Sequence, residues 1–163
     1  MKAATLTPVA LAEAVARLES MPVFLASALA AVSDEDRKRQ PAPSEFSLVE
    51  HACHLRDLER EGYLVRVRRM MSETEPALHG FDGGAIAAAR DYPSEDADAA
   101  ARDFAAARSD LLDLVRPLTP RQLSREGTFG DRRVCFADVI AMMVEHDRGH
   151  REEIEQLLAG PGA

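Results

Sequence analysis

Two histidines near the carboxyl end of the chain are spaced so that one metal ion could bind both. His146 and His150 are four residues apart, and apolar residues recur around them at helical intervals, at Val139, Met143 and Ile154. Positions three or four apart share one face of a helix, so both rings are predicted to point towards a core. A buried imidazole needs partners for both nitrogens, and one metal ion satisfies one nitrogen of each ring. The pair predicts a metal site; the alternative is two core histidines that only pack.

A third ligand has to come from another helix. His51 and His54 flank the apolar stripe of an earlier predicted helix, and their spacing leaves the choice between them open. His79 lies in a long connection and is predicted to be a solvated loop residue. Three imidazoles leave coordination positions open, which is typical of catalytic metal sites, whereas structural sites use four protein ligands.

The donor type indicates which metal and which chemistry to expect. Imidazole suits Zn²⁺ or Ni²⁺ best, and Mn²⁺ or Fe²⁺ are also compatible with it. A divalent ion lowers the pKa of a bound water or thiol, or polarises a substrate oxygen. The sequence therefore predicts metal-dependent chemistry on a small molecule, in which metal-bound water or thiol is the reacting group and no catalytic side chain is assigned.

A competing motif overlaps the two histidines. The segment from His146 to His150 resembles H-E-x-x-H, in which a glutamate is the general base of a metalloprotease. Here Asp147 stands in the position of that glutamate and is one methylene shorter. A helical bundle also offers no obvious edge strand on which a peptide substrate could bind. The protease is the weaker interpretation.

The elements that must position these residues are predicted to be helices. The chain has 163 residues, 28 of them alanine, and no tryptophan, so it favours helix and fits one domain over residues 1–163. We predict an all-α four-helix bundle with no convincing strand. The first helix begins at Thr7-Pro8 and is interrupted or kinked at Pro22. The second runs from Ser47 to Met71, the third from Pro93–Asp96 to Pro117, and the fourth from Cys135 to Ala159. A long connection, Ser72 to Pro93, joins helices 2 and 3, with an extra turn expected at Ala85–Arg90, and Gly127 to Arg133 is predicted to be a loop.

Charge and composition indicate which classes of partner and which cellular location to expect. The formal net charge of −8 disfavours nucleic acid, because a phosphate-backbone binder needs a clustered basic face. No window approaches the roughly 18 apolar residues of a membrane span, and no signal peptide is evident. Cys53 and Cys135 are interpreted as core thiols of a cytoplasmic protein and not as a disulfide.

Two sets of motifs resemble those of a known family. The first set is Pro41-Ala42-Pro43, Phe46-Ser47-Leu48-Val49-Glu50 and His54-Leu55-Arg56-Asp57-Leu58-Glu59, and the second is Glu145-His146-Asp147-Arg148-Gly149-His150. In combination and order, they resemble the second-helix and fourth-helix signatures of the DinB-like superfamily. The similarity covers nearly the whole chain, including the long connection. Phe46 stands where that family usually has tryptophan, a difference that affects packing more than chemistry.

The resemblance implies a fold, a site and a range of activities. Members are four-helix bundles with unusual connectivity, often homodimers, and they hold a divalent metal on three histidines. Carried over by position, the ligands here are His54, His146 and His150, and His51 becomes a neighbour. The family includes bacillithiol transferases and mycothiol-dependent isomerases, so the expected activity is that of a metal-dependent hydrolase or a low-molecular-weight-thiol S-transferase. The transferase would use a low-molecular-weight thiol as cofactor. The alternative is a noncatalytic metal-binding or stress-response module.

Other polar residues carry weaker expectations. Asp57 could orient a ligand, but an exposed position on the helix is the expectation. Glu145 is expected on the surface. A patch formed by Arg66, Arg68 and Arg69 is expected to be the solvated end of the second helix, where basic residues favour the helix dipole.

Overall fold

Long helices with short helical turns between them make up most of the molecule. The structure, a computed structural model, describes residues 8–160, so the predicted cap Thr7 lies outside the described residues. The helices are α1 (Pro8–Ala30), α2 (Asp34–Arg37), α3 (48–72), α4 (Gly83–Arg90), α5 (Ala97–Val115), α6 (Pro120–Leu123) and α7 (Phe136–Ala159). Helix α1 runs through Pro22 without a break. No helix in this part of the chain combines the length and the apolar character needed to cross a membrane.

The four long helices pack as a bundle. Helix α5 lies against both α1 and α3, and α1 also packs on α7. The apolar faces predicted for these helices are buried: Leu18, Leu25, Phe104, Leu111 and Ile140 are all fully enclosed. The predicted four-helix bundle, with its long connection between the second and third long helices, is confirmed.

Helix α3 changes its hydrogen-bonding pattern in the middle. It consists of an α-helical part (Leu48–Asp57), a π-helical part (Leu58–Tyr63) and a second α-helical part (Leu64–Ser72). A π-turn inserts an extra residue into the helix and rotates everything that follows. A constant 3.6-residue period predicts an apolar stripe of Leu48, Leu55, Leu58, Gly62 and Val65 on this helix. The prediction is wrong at Val65, which is exposed, whereas Leu64 and Val67 are buried.

A small three-stranded sheet lies at one end of the bundle. Its strands are β1 (Ala77–Leu78), β2 (Glu126–Phe129) and β3 (Arg132–Cys135), and β2 pairs parallel with β1 and antiparallel with β3. The prediction of a loop over 127–133 and of no strand is wrong. The strands are too short to show an alternating pattern, and the tight turn between β2 and β3 depends on Gly130, whose φ is +62°.

The long connection packs on helix α3. Its helix α4 is confirmed by the structure and begins two residues earlier than predicted, where the Asp82 side chain accepts a hydrogen bond from the Ala85 amide at 3.0 Å. Further along, the Tyr92 hydroxyl donates to Asp57 at 2.6 Å, and Arg90 donates to Asp57 at 2.8 Å and to Glu61 at 2.7 Å. These bonds hold the connection against the part of α3 that follows His54.

Candidate metal centre

Three histidine rings from two helices converge at one point. His54 comes from the first α-helical part of α3, and His146 and His150 come from successive turns of α7. The Nε2 atom of His146 lies 3.3 Å from Nε2 of His54 and 3.0 Å from Nε2 of His150. The structure therefore brings together the three histidines that the family resemblance assigned, in a group that could hold a metal ion.

The spacing of these nitrogens fits a shared metal ion. Two imidazole nitrogens bound at about 2.0–2.1 Å to one zinc ion lie about 2.9 to 3.4 Å apart, depending on the angle at the metal. Hydrogen bonds alone satisfy the group poorly, because Nε2 of His146 faces two other nitrogens and offers either one proton or one lone pair. A cation between the rings satisfies all three at once.

Burial keeps the rings in the neutral form that binds metals. It lowers the pKa of His54 to about 4. Burial together with the neighbouring rings lowers the pKa of His146 to about 3 and that of His150 to about 2. Neutral imidazoles present a lone pair, so near pH 7 protons do not compete with a metal at this centre.

The remaining ring nitrogens differ among the three histidines. Within residues 8–160, Nδ1 of His54 and Nδ1 of His146 are buried without a hydrogen-bond partner. In contrast, Nδ1 of His150 lies 2.9 Å from Nδ1 of His51. His51 is thus confirmed as a neighbour of the centre, in direct contact with one of its rings.

A carboxylate lies on the outer side of this pair. The Oε2 atom of Glu153 is 3.6 Å from Nε2 of His51 and 3.6 Å from Nδ1 of His150. Burial, and then the charge of Glu45, raise the pKa of Glu153. Glu153 is not among the residues predicted from the sequence, although its spacing is a signal: it follows His146 by seven residues and so lies on the same face of α7.

A cavity of about 520 Å³ opens beside these residues. Its wall includes His51, His150, Glu153, Glu45 and Phe46. The size suits a small molecule. Because His150 belongs both to the wall and to the ring cluster, the cavity reaches the centre from the His150 side.

Helix α4 covers the opposite side of the centre. An ideal Cβ at Gly83 would lie 2.6 Å from Cε1 and 2.9 Å from Nδ1 of His54, so the backbone of α4 lies directly on that ring. The ring of Phe81 is also near, with its centroid 6.1 Å from that of His54. The long connection is therefore a cover over one ligand ring.

Asp147 is not available as the base of a metalloprotease. Its carboxylate accepts hydrogen bonds from Arg108, the shortest at 2.6 Å, and Arg108 also donates to Glu59 at 2.6 Å. All three side chains are buried. A buried aspartate that is ion-paired with Arg108 cannot replace the free glutamate of H-E-x-x-H.

Two expectations about polar residues on α3 are wrong. Asp57 is buried, not exposed, because its carboxylate is the anchor for the connection. Arg66 is also buried: its Nε donates to the backbone oxygen of His79, and its guanidinium lies over the rings of Tyr63 and Phe129. Both residues therefore serve to fix the connection and the small sheet onto α3.

The surface positions predicted for Glu145 and His79 are confirmed, and Cys53 is buried as predicted, whereas Cys135 is only partly buried. Cys53 and Cys135 are free thiols, and burial raises the pKa of Cys53 to about 12. A thiol with such a pKa is protonated and inert near neutral pH.

Four long helices and a cluster of three histidines define a four-helix-bundle protein with a candidate metal centre. The family model of the DinB superfamily matches residues 10–154, and the chain belongs to that superfamily. The fold is similar to the solved structure of YfiT from Bacillus subtilis, with a TM-score of 0.86 and 19% identity over 96% of this chain and 89% of YfiT. YfiT is described as a probable metal-dependent hydrolase with an unusual four-helix bundle topology. None of the curated proteins compared with this chain matches it.

Proposed function

We propose that this protein is a metal-dependent enzyme whose single divalent ion is held by His54, His146 and His150. The observation that carries the proposal is the convergence of three neutral imidazoles, with Nε2 atoms 3.0 and 3.3 Å apart. The all-imidazole donor set favours Zn²⁺ or Ni²⁺, and Mn²⁺ or Fe²⁺ are the less favoured alternatives. When bound, such an ion supplies Lewis acidity and lowers the pKa of a water or thiol at the centre.

The substrate is proposed to be a small molecule that binds in the cavity beside His150. Phe46 provides an apolar wall, and the carboxylates of Glu45 and Glu153 provide polar contacts. Glu153 lines the cavity beside His150 and is proposed to accept a proton from a nucleophile bound there. The reaction is proposed to be hydrolysis, in keeping with the description of YfiT, or transfer of a low-molecular-weight thiol.

Metal analysis of tag-free protein tests the centre. We expect one equivalent of a divalent metal in the wild type and a loss of affinity of about 100-fold or more in His146→Ala, because a ligand has been removed. His79→Ala is the matched control, since His79 is an exposed loop histidine and its removal should leave binding unchanged. Absence of metal from the wild type, with no rise in melting temperature on addition of Zn²⁺ or Ni²⁺, would contradict the proposal.

A second candidate is a noncatalytic metal-binding or stress-response module. It is favoured by the burial of His54, which is only 7% exposed and lies under α4, away from the cavity. Turnover separates the two functions. Ester and amide substrates, and electrophiles with thiol cofactors, should react with the metal-loaded wild type and not with His150→Ala. A wild type that binds metal and turns over none of them favours the module.

A further inference from the structure

Of the three proposed ligands, His150 has a hydrogen-bond partner for the ring nitrogen that does not face the metal. A neutral imidazole that binds a metal through Nε2 carries its proton on Nδ1, which then needs an acceptor. Within the described residues, Nδ1 of His54 and Nδ1 of His146 have none, whereas Nδ1 of His150 faces Nδ1 of His51 at 2.9 Å. His150 is therefore the ligand whose orientation the protein can control through a hydrogen bond.

A metal ion on Nε2 of His150 would leave only one arrangement of protons between the two Nδ1 atoms. At 2.9 Å, one of the two nitrogens must donate and the other must accept. If Nε2 of His150 binds the metal, Nδ1 of His150 donates, and Nδ1 of His51 must present its lone pair. The proton of His51 is then on Nε2, which points towards the carboxylate of Glu153 at 3.6 Å, a distance for electrostatic attraction and not for a hydrogen bond.

The ring of His51 is well placed to keep this arrangement. His51 is 1% exposed, and its ring is held edge-on between two neighbours. Its centroid lies 5.6 Å from that of Phe46 at an interplanar angle of 88° and 5.0 Å from that of His150 at 81°. A buried ring packed in this way has few alternative rotamers, so its acceptor nitrogen stays aimed at His150.

We propose that His51 is a positioning residue of the metal centre: its Nδ1 accepts the hydrogen bond from Nδ1 of His150 and thereby fixes the tautomer and the ring plane of that ligand. The inference rests on the proposed function, because it assumes a metal on Nε2 of His150. Hydrogen-bond partners of metal-ligating histidines typically contribute 10–100-fold to metal affinity. His51 is expected to have an effect of that size without binding the metal itself.

Zinc affinity of two His51 variants tests the role. His51→Leu keeps an apolar side chain without an acceptor, whereas His51→Asn keeps an amide oxygen near the position of Nδ1. We expect the leucine variant to bind one equivalent of zinc about 10–100-fold more weakly than the wild type, and the asparagine variant to recover most of that loss. The affinities are measured by competition with a chromophoric chelator. Equal affinity of both variants and the wild type would overturn the inference and leave the proposed function standing.

Nitrogen-15 NMR of the histidine side chains supplies a second readout on the unmodified protein. In the zinc-loaded wild type, His150 should carry its proton on Nδ1 and His51 on Nε2. A proton on Nδ1 of His51 would overturn the proposal even if neither variant folds. A second equivalent of zinc, lost in both His51→Leu and Glu153→Gln, would make His51 a ligand of another metal and overturn it too. A wild type that binds neither zinc nor nickel removes the proposed function and this inference together.

Discussion

At the scale of single residues, the close approach of Gly83 to the ring of His54 limits where that proposed ligand can lie. A Cβ at residue 83 would meet Cε1 of His54 at 2.6 Å, a separation that Cβ atoms do not tolerate. The ring is enclosed, so it cannot yield easily. Glycine is required here by the close approach of the backbone to the ring, and the identity of residue 83 controls the position of His54.

Gly83→Ala should therefore weaken metal binding. The added methyl group displaces the ring of His54, and we expect zinc affinity to fall by about tenfold or more, as for other changes around metal ligands. Gly84→Ala is a close control, because it raises helix propensity in the same helix while its Cβ meets only Asp82, at an ordinary 3.7 Å. Competition titrations with a zinc chelator measure both variants. Equal affinities would show that α4 does not position His54.

The sequence could predict some of these residues and not others, for physical reasons. His146 and His150 share a helical face with buried apolar residues, so their inward direction follows from periodicity. The choice between His51 and His54 needed the family resemblance, because the two flank the same stripe. Glu153 shares a helix face with His146, but the sequence near it does not show that the segment from Pro41 to Phe46 packs beside this face and forms a cavity there.

At the scale of elements, helix α3 and the connection form one unit around Asp57. Burial alone would raise the pKa of Asp57, but hydrogen bonds from Arg56, Tyr92 and Arg90 outweigh it, and the pKa is lowered. The long connection was predictable from its glycines and prolines. Its anchoring was not, because periodicity does not show which acid on a helix the returning chain will bond.

Tyr92→Phe should loosen the connection. It removes one hydrogen bond to a charged group, and we expect a loss of about 1.5–3 kcal/mol and faster amide exchange over residues 83–96. A carboxyl whose pKa is lowered by folding stabilises the fold above its unfolded pKa and loses that contribution as the pH falls through the folded pKa. The difference between wild type and variant should thus shrink on acidification. Hydrogen exchange and urea unfolding at pH 7 and pH 3 measure both effects, and a difference that grows in acid would contradict the explanation.

The π-helical part of α3 and the small sheet mark the limit of prediction at this scale. A constant helical period describes α7 over its whole length but fails in α3 after Leu58, because an i→i+5 turn has no compositional signature. Strands of two to four residues are equally hard to predict, because they are too short to show an alternating pattern. Both features depend on tertiary contacts, such as the bonds between Glu59 and Arg108, that a single segment does not reveal.

At the scale of the whole molecule, one buried side chain joins all four long helices. Arg108 of α5 donates to the backbone oxygen of Leu18 in α1 at 2.9 Å, to Glu59 in α3 at 2.6 Å and to Asp147 in α7 at 2.6 Å. Its side chain is 2% exposed. Arg108 donates to both carboxylates, but one guanidinium balances only one of the two negative charges, and burial raises the pKa of Glu59 and of Asp147.

Arg108→Met should destabilise the bundle strongly. It leaves Glu59 and Asp147 as uncompensated buried acids, and breaking such a network costs about 3–5 kcal/mol. Urea unfolding measures the loss. The triple variant Arg108→Met, Glu59→Gln, Asp147→Asn should recover part of it, because no charge is then left unpaired. A triple variant as unstable as the single one would attribute the loss to packing of the arginine stem instead.

Assembly and partners are predictions at this same scale. The resemblance to the family implies a homodimer, and light scattering on the purified protein measures it directly. The net charge of −8 predicts no binding to nucleic acid, which a gel-shift titration at low salt would contradict if it showed a complex.

The hydrogen-bond network that Arg108 forms with Leu18, Glu59 and Asp147 also affects the lifetime of the folded state. Its partners are 90, 49 and 39 residues away along the chain, so its bonds require all four long helices to be in place. We expect these bonds to form after the main folding barrier, because they need three distant segments already in place, and a φ-value near zero for Arg108→Met would check this. The bonds of Arg108 should therefore lower the unfolding rate far more than they change the refolding rate. In this bundle, Arg108 would lengthen the lifetime of the native state and leave the folding rate nearly unchanged.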